Sequence, residues 1–342
     1  MPEYIPIAYP FPNPPAPGAA TEVAPGVHWL RMALPFELDH INLWLLEDGD
    51  GWTLVDTGLG NEATRTVWEV AFASIKKPIR RVIVTHYHPD HAGSAGWLCE
   101  RFGAELWMTR GEYLTVHAAR HGAAGYSTEA QIALFRANGL GEAQGAALLA
   151  RGDLYRKLVP DFPFSHRRLF DGDRVPIGGR RWRVMVGYGH APEHASLYCE
   201  ELNVLIAGDM LLPRISTNVA VRPVDPRSNP LRLFLDSIAR YRELSRELLA
   251  LPSHGLPFRG AHARIVQLQA HHDERLGALL AACAAAPRSA ADVLEVLFRR
   301  KLDTNQIFFA MGEAIAHLHC LHYDGRLART LGPDGVARFA PS

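Results

Sequence analysis

Thr85-His86-Tyr87-His88-Pro89-Asp90-His91-Ala92-Gly93 packs four potential metal ligands, His86, His88, Asp90 and His91, into six residues directly after the apolar run Arg81-Val82-Ile83-Val84. That run reads as a short buried strand. Continued in extended form, its two-residue period puts His86 and His88 on one side, where both imidazoles reach one ion. Pro89 ends the strand, and Asp90 is the expected N-cap of a helix beginning near His91, so its carboxylate and the next imidazole turn toward a second, adjacent position. The chain has 17 His, so an isolated one carries little weight. A cluster this dense does.

Further ligand types follow strand-like runs downstream. Arg181 to Val186 alternates as a strand and leads into Gly187-Tyr188-Gly189-His190-Ala191-Pro192-Glu193-His194, where one of the two His is expected to be a ligand. Asn203 to Ala207 leads into Gly208-Asp209, a carboxylate at a strand end where it could bridge two ions. Leu248 to Leu251 leads into Pro252-Ser253-His254-Gly255. Each time an apolar strand ends in a ligand-type residue beside Gly, where the backbone turns tightly.

These pieces, with Thr53-Leu54-Val55-Asp56-Thr57-Gly58 upstream, resemble the metallo-β-lactamase superfamily over roughly residues 25 to 260. His86, His88, Asp90 and His91 fill its H-x-H-x-D-H motif, and His190, Asp209 and His254 follow in the expected order. The resemblance implies an αββα sandwich with the site along an edge where strand ends of both sheets meet. It also implies that His86, His88 and His190 hold one metal, that Asp90, His91 and His254 hold the other, and that Asp209 bridges them. His194 then has a supporting role, and Asp56 accepts from a ligand imidazole or forms a turn, or both. Tyr87 and Arg214, next to ligands in sequence, are the candidates for substrate contact.

Imidazoles and carboxylates without thiolate suit two divalent ions, zinc first, with iron or manganese as alternatives. Such a pair would furnish a bridging hydroxide at neutral pH, with Asp90 and Asp209 as the catalytic carboxylates. Cys99, Cys199, Cys283 and Cys320 lack paired spacing and are expected to be small buried hydrophobes of a reducing compartment.

With 342 residues, 48% apolar content and no net charge, the chain can bury a large core, and the α+β reading is one large domain plus a small one. Residues 1–25 read as a Pro-rich arm that is either a disordered tail or a segment packed on the body or a neighbouring subunit. No basic segment followed by an apolar run marks a secretory signal, and no membrane span is apparent, so a cytoplasmic location is expected. Residues 26–260 read as the catalytic domain. Its helical stretch from about 109 to 171 is an insertion, either a lid over the cleft or a packing element; His117, His121 and His166 within it are not taken as ligands.

Residues 261–342 read as three helices, Ile265 to Ala285, Ser289 to Arg299 and Thr304 to Tyr323, then a hairpin around Gly332-Pro333-Asp334-Gly335. That order is winged-helix-like. Its third helix has no Lys or Arg, and the segment balances acidic with basic side chains, so nucleic acid is not an expected partner. Docking on the catalytic body, shaping the entrance and forming a homodimer are the uses left to it. The whole arrangement resembles glyoxalase-II-like hydrolases and their endoribonuclease relatives, although the basic C-terminal pattern that would hold glutathione is missing. The expected function is therefore a dinuclear metal-dependent hydrolase of a small ester, thioester or lactone; the alternative is a phosphodiesterase or endoribonuclease using the same metals.

Overall fold

The computed structural model describes residues 5–123, 125–150 and 152–342; the first four residues of the Pro-rich arm and two positions of the 109–171 insertion lie outside it. In chain order the first half contains strands β1 (Thr21–Ala24), β2 (Val27–Ala33), β3 (His40–Asp48) and β4 (Gly51–Val55), helix α1 (Glu62–Ile75) and strand β5 (Ile79–Ile83). Helices α2 (Pro89–Ala92) and α3 (Ala95–Phe102), strand β6 (Glu105–Met108), helices α4 (Arg110–Arg120), α5 (Thr128–Arg136), α6 (Glu142–Ala150) and α7 (Leu154–Leu158) and strand β7 (Arg167–Arg168) follow. The second half contains β8 (Arg174–Ile177), β9 (Arg180–Gly187), β10 (His194–Cys199), β11 (Val204–Gly208), α8 (Pro230–Ala239), β12 (Leu249–Pro252), α9 (Ala261–Ala285), α10 (Leu294–Leu297), α11 (Thr304–Tyr323), β13 (Leu327–Leu331) and β14 (Ala337–Pro341).

Two sheets form the body. One has seven strands in the order β1-β2-β3-β4-β5-β6-β7, antiparallel up to β4 and parallel beyond it. The other has five, β12-β11-β10-β9-β8, with only the β11–β12 pair parallel. Strand β3 shows why they stack. It is buried without interruption from Ile41 to Leu46, because Ile41, Leu43 and Leu45 face a helix-side core while Trp44 and Leu46 face the second sheet. Trp68, Ala71 and Ile75 of α1 and Leu98 of α3 complete the helix-side core. Between the sheets, Trp29, Val55 and Ile83 meet Trp182, Val184, Val186, Leu197, Ile206 and Leu251. This is the layered α+β sandwich expected.

Local chemistry sets the element ends. Asn61 caps α1 by accepting from the Thr64 N–H at 2.8 Å. Asp303 and Gln306 form a capping box on α11. Two expectations around the motif need correction. Strand β5 stops at Ile83, so His86 and His88 lie in a bend and not in extended strand. Helix α2 begins at Pro89, whose fixed φ and missing N–H suit a first helical position, and this moves the N-cap to His88 and puts Asp90 in the first turn.

The described part of the N-terminal arm packs on the body: Ala8 pairs with Arg259, whose N–H donates to the Ala8 carbonyl at 2.9 Å. The arm is shorter than expected, since Thr21–Ala24 is strand β1. All four cysteines are free and buried.

Contacts divide the chain into two compact units, residues 1–120, 155–217 and 237–265 in one and 121–154, 218–236 and 266–342 in the other. The 109–171 insertion is therefore split between them rather than belonging wholly to the catalytic body. In the second unit, the expected helix from Ser289 to Arg299 shrinks to a 3-10 turn at Ala291–Val293 followed by α10. Helix α11 buries Met311, Ile315, Leu318 and Leu321 but leaves Phe309 half exposed, and β13 and β14 form the expected antiparallel hairpin. Among the described residues, no helix is long and apolar enough to cross a membrane.

Candidate metal centre

Every predicted ligand outside the motif helix sits just beyond the C-terminal end of a strand: His86 and His88 after β5, His190 after β9, Asp209 after β11 and His254 after β12. The strand ends converge, so the ligand atoms do too. His86, His88, His190 and Asp209 form one group and Asp90, His91 and His254 a second, each with its ligand atoms within 4.8 Å of one another.

In the first group, Nε2 of His86 lies 2.9 Å from Nδ1 of His88 and 3.2 Å from Nε2 of His190, which is 3.3 Å from Oδ2 of Asp209. In the second, Nε2 of His254 and Nε2 of His91 lie 3.4 and 3.5 Å from Oδ1 of Asp209, and 3.5 and 3.6 Å from Oδ2 of Asp90. The two oxygens of Asp209 thus serve different groups. Four ligands at about 2.0–2.1 Å from an ion stand about 3.4 Å apart at the corners of a tetrahedron, close to most of these separations. Nε2 of His91 and Oδ1 of Asp209 are buried without a hydrogen bond, which is costly unless a cation satisfies them. The residues fit a pair of divalent ions.

Hydrogen bonds beneath the ligands fix which ring nitrogen faces the centre. Nδ1 of His91 donates to Oδ2 of Asp56 at 2.8 Å, leaving Nε2 for a metal. The other oxygen of Asp56 accepts from the Thr85 N–H at 2.8 Å. These bonds hold Asp56 at φ 62, a conformation that L residues seldom adopt. The Thr85 hydroxyl gives its one proton to Asp56 and accepts from Nδ1 of His86 at 3.0 Å. Nδ1 of His254 donates to the His40 carbonyl at 2.7 Å, and Nε2 of His40 accepts from the Gly255 N–H at 2.7 Å. Asn42, buried in β3, stitches the same loop by donating to the carbonyls of Pro252 and Gly255.

His194, at the start of β10, accepts the Asp209 N–H on Nε2 at 3.1 Å. A Cβ on Gly208, at φ 56, would come within 2.3 Å of that nitrogen, so only glycine lets Asp209 and His194 approach this closely.

The electrostatics differ between the two groups. Burial, reinforced by neighbouring imidazoles, holds His86 well below the ordinary histidine range, which keeps its lone pair free. Burial opposes the charge on Asp209, but His254 and His91 outweigh it and hold the carboxyl well below the usual range. Burial likewise opposes charge on His91, and Asp56, Asp90 and Asp209 overcome it and raise that imidazole.

The family model of the metallo-beta-lactamase superfamily matches residues 37–254, from the β2–β3 connection through the last ligand. The chain belongs to this superfamily. A second family model, described as a metallo-beta-lactamase-like C-terminal domain, matches residues 276–342 of this superfamily member. A beta-lactamase domain protein from Burkholderia ambifaria is 49% identical, with a TM-score of 0.92 and 98% of each chain covered. A metallo-beta-lactamase family protein from Thermus thermophilus is 33% identical, with a TM-score of 0.80 over 94% of this chain and 100% of that one. A curated relative, "Probable metallo-hydrolase YqjP" of Bacillus subtilis, is 27% identical over 85% of this chain and 91% of its own length.

The two substrate-contact candidates have different surroundings. Tyr87 is buried in the helix-side core, its ring 4.6 Å from that of His88 and 6.1 Å from that of Tyr155. Arg214 is exposed and stands over the Tyr9 ring at 5.4 Å. Sequence reading missed Thr85, His40 and Glu112. Thr85 could have been found, as a hydroxyl directly before the motif. His40 and Glu112 carry no local signal.

Proposed function

We propose that this metallo-hydrolase uses a two-metal centre to hydrolyse a small ester, thioester or lactone. The observation that carries the reading is the division of Asp209, with Oδ2 toward His86 and His190 and Oδ1 toward His91 and His254. Two divalent ions, when bound, would acidify a water so that a nucleophile exists near neutral pH and would stabilise the negative charge that develops on the attacked oxygen. Zinc fits the donor set best, with iron or manganese as alternatives.

The chain's own residues do the rest. Asp209 keeps the two groups of ligands at a set spacing, and His194 and Thr217 hold Asp209 by its backbone, the Thr217 hydroxyl donating to its carbonyl at 2.5 Å. Asp90 is partly exposed and can take a proton during attack and return it to the leaving group. A small-molecule substrate is favoured over nucleic acid because α11, in the recognition position of the winged-helix-like order, has no Lys or Arg for phosphates.

Metal-analysed protein assayed on thioesters, lactones, phosphodiesters and RNA, with His86→Ala as control, tests this reading. Ester or lactone turnover lost in His86→Ala is expected. RNA cleavage without ester turnover would reverse it.

A further inference from the structure

The two loops that carry His86, His88 and His190 meet on a single carboxylate that belongs to neither loop. Glu112, in the first turn of α4, is 0% exposed. Its Oε2 accepts the Tyr87 N–H at 2.9 Å, between His86 and His88, and its Oε1 accepts the Glu193 N–H at 2.6 Å, three residues past His190. The connection to the second loop is doubled. Oε2 of Glu193 accepts the Gly111 N–H at 2.8 Å, and the Thr109 hydroxyl donates to the Glu193 carbonyl at 2.8 Å. A Cβ on Gly111 would stand 2.9 Å from Cδ of Glu193, so the end of that side chain lies close against the start of α4. From the other side, the Tyr155 hydroxyl donates to the Tyr87 carbonyl at 2.5 Å.

This arrangement answers a need created by the end of β5. Beyond Ile83 the chain leaves the strand, and the Tyr87 peptide sets the relative directions of the two imidazoles that flank it. Both groups facing Glu112 are N–H donors, so two acceptor oxygens on one rigid plane are needed, and an amide would turn a donor toward one of them. Burial pushes Glu112 up to about 8, while the bonds from the Glu193 and Tyr87 N–H groups favour its ionised form. The second group of ligands is oriented differently, through Asp56 at His91 and His40 at His254.

We propose that Glu112 is the positioning residue of the first metal position, setting the span between the His86–His88 pair and His190 while leaving the Asp90–His91–His254 position untouched. This rests on the two-metal reading above.

The test measures Zn2+ affinity of metal-stripped full-length protein against a chromogenic chelator in two single-site backgrounds. His254→Ala should retain the first position and His190→Ala the second. Glu112→Gln should weaken Zn2+ binding about 10- to 100-fold in the His254→Ala background. In the His190→Ala background it should change binding by less than about twofold, because the two Glu112 bonds go to the loops of the first group. Equal weakening in both backgrounds means a general structural role and overturns the proposal, as does no weakening in either. Should the glutamine variant not fold, Glu112→Asp keeps the charge but is too short to reach both N–H groups, and the same outcomes apply. If His254→Ala and His190→Ala do not each lower binding from two ions to one, the two-metal reading itself falls, whatever Glu112 does.

Discussion

Asp56 and His91 are joined in the buried interior by a 2.8 Å hydrogen bond from Nδ1 of the imidazole to Oδ2 of the carboxylate, and the opposite ring nitrogen faces Asp90 and Asp209. One contact therefore links the end of β4 to the orientation of a metal ligand. Replacing Asp56 by Asn keeps the size and a residue type that tolerates positive φ, but presents an amide donor to either His91 or the Thr85 N–H. Asp56→Asn should lower metal affinity by about 10- to 100-fold with the fold retained. Chelator competition together with circular dichroism checks both parts; unchanged affinity would remove Asp56 from the site.

Asp209 turns one carboxylate oxygen toward each group of ligands. Asp209→Ala should lower turnover by roughly 100-fold or more and reduce the bound metal, a larger loss than that from a residue touching only the ligands. Turnover assays with parallel metal analysis read this directly. Full activity at full metal content would contradict the bridging assignment.

Gly208 permits the approach of Asp209 to His194. Gly208→Ala adds a Cβ that meets the His194 ring at 2.3 Å, on a backbone at φ 56. A left-handed conformation alone costs about 1–2 kcal/mol for an L residue, and the clash adds to it. The variant should melt at least about 2 °C lower on that basis and bind metal less tightly. Calorimetry and metal titration would show it, and a melting temperature equal to the parent's would contradict the packing described.

A second histidine pair lies in the C-terminal unit. Nδ1 of His317 donates to the Glu313 carbonyl at 2.8 Å, so its Nε2 accepts from Nδ1 of His272 at 3.1 Å, and both rings are neutral. Burial is the main cause that lowers His272 to about 2 and His317 to about 4, with the Arg275 guanidinium and His271 adding to it; Glu313 nearby is paired with Arg275. In the unfolded chain both take up protons near pH 6.5. Their contribution to stability is thus complete above pH 6.5 and is lost as pH falls below it, down to about 4 for His317 and about 2 for His272. The loss amounts to about 1.4 kcal/mol per pH unit for each group. His272→Phe should flatten the fall of stability between pH 6.5 and 5 by about one proton's worth. Denaturant titrations over this range measure the slope; equal slopes in both proteins would contradict the neutral buried pair.

How much of this was legible in the chain depends on how far apart the interacting groups are. His86, His88, Asp90 and His91 are neighbours, so their clustering survives any error about local conformation, and it survived one: the extended geometry expected for His86 and His88 is a bend. Likewise the strands before His190, Asp209 and His254 announce themselves by apolar runs. The 109–171 segment shows the opposite case. Its helices were visible as periodicity, but which unit they join was not, because helical faces of similar composition fit several surfaces.

The amino-acid sequence by itself marked the candidate ligands and the strand-then-ligand order, since both follow from residue type and short-range spacing. Tertiary structure alone decided how each ligand is aimed. The Glu112 carboxylate reaches Tyr87 across 25 positions and Glu193 across 81, and His254 finds the His40 carbonyl across 214. A buried N–H or ring nitrogen must find a partner, and which one it finds depends on how the two sheets and their helices pack, which no local pattern encodes.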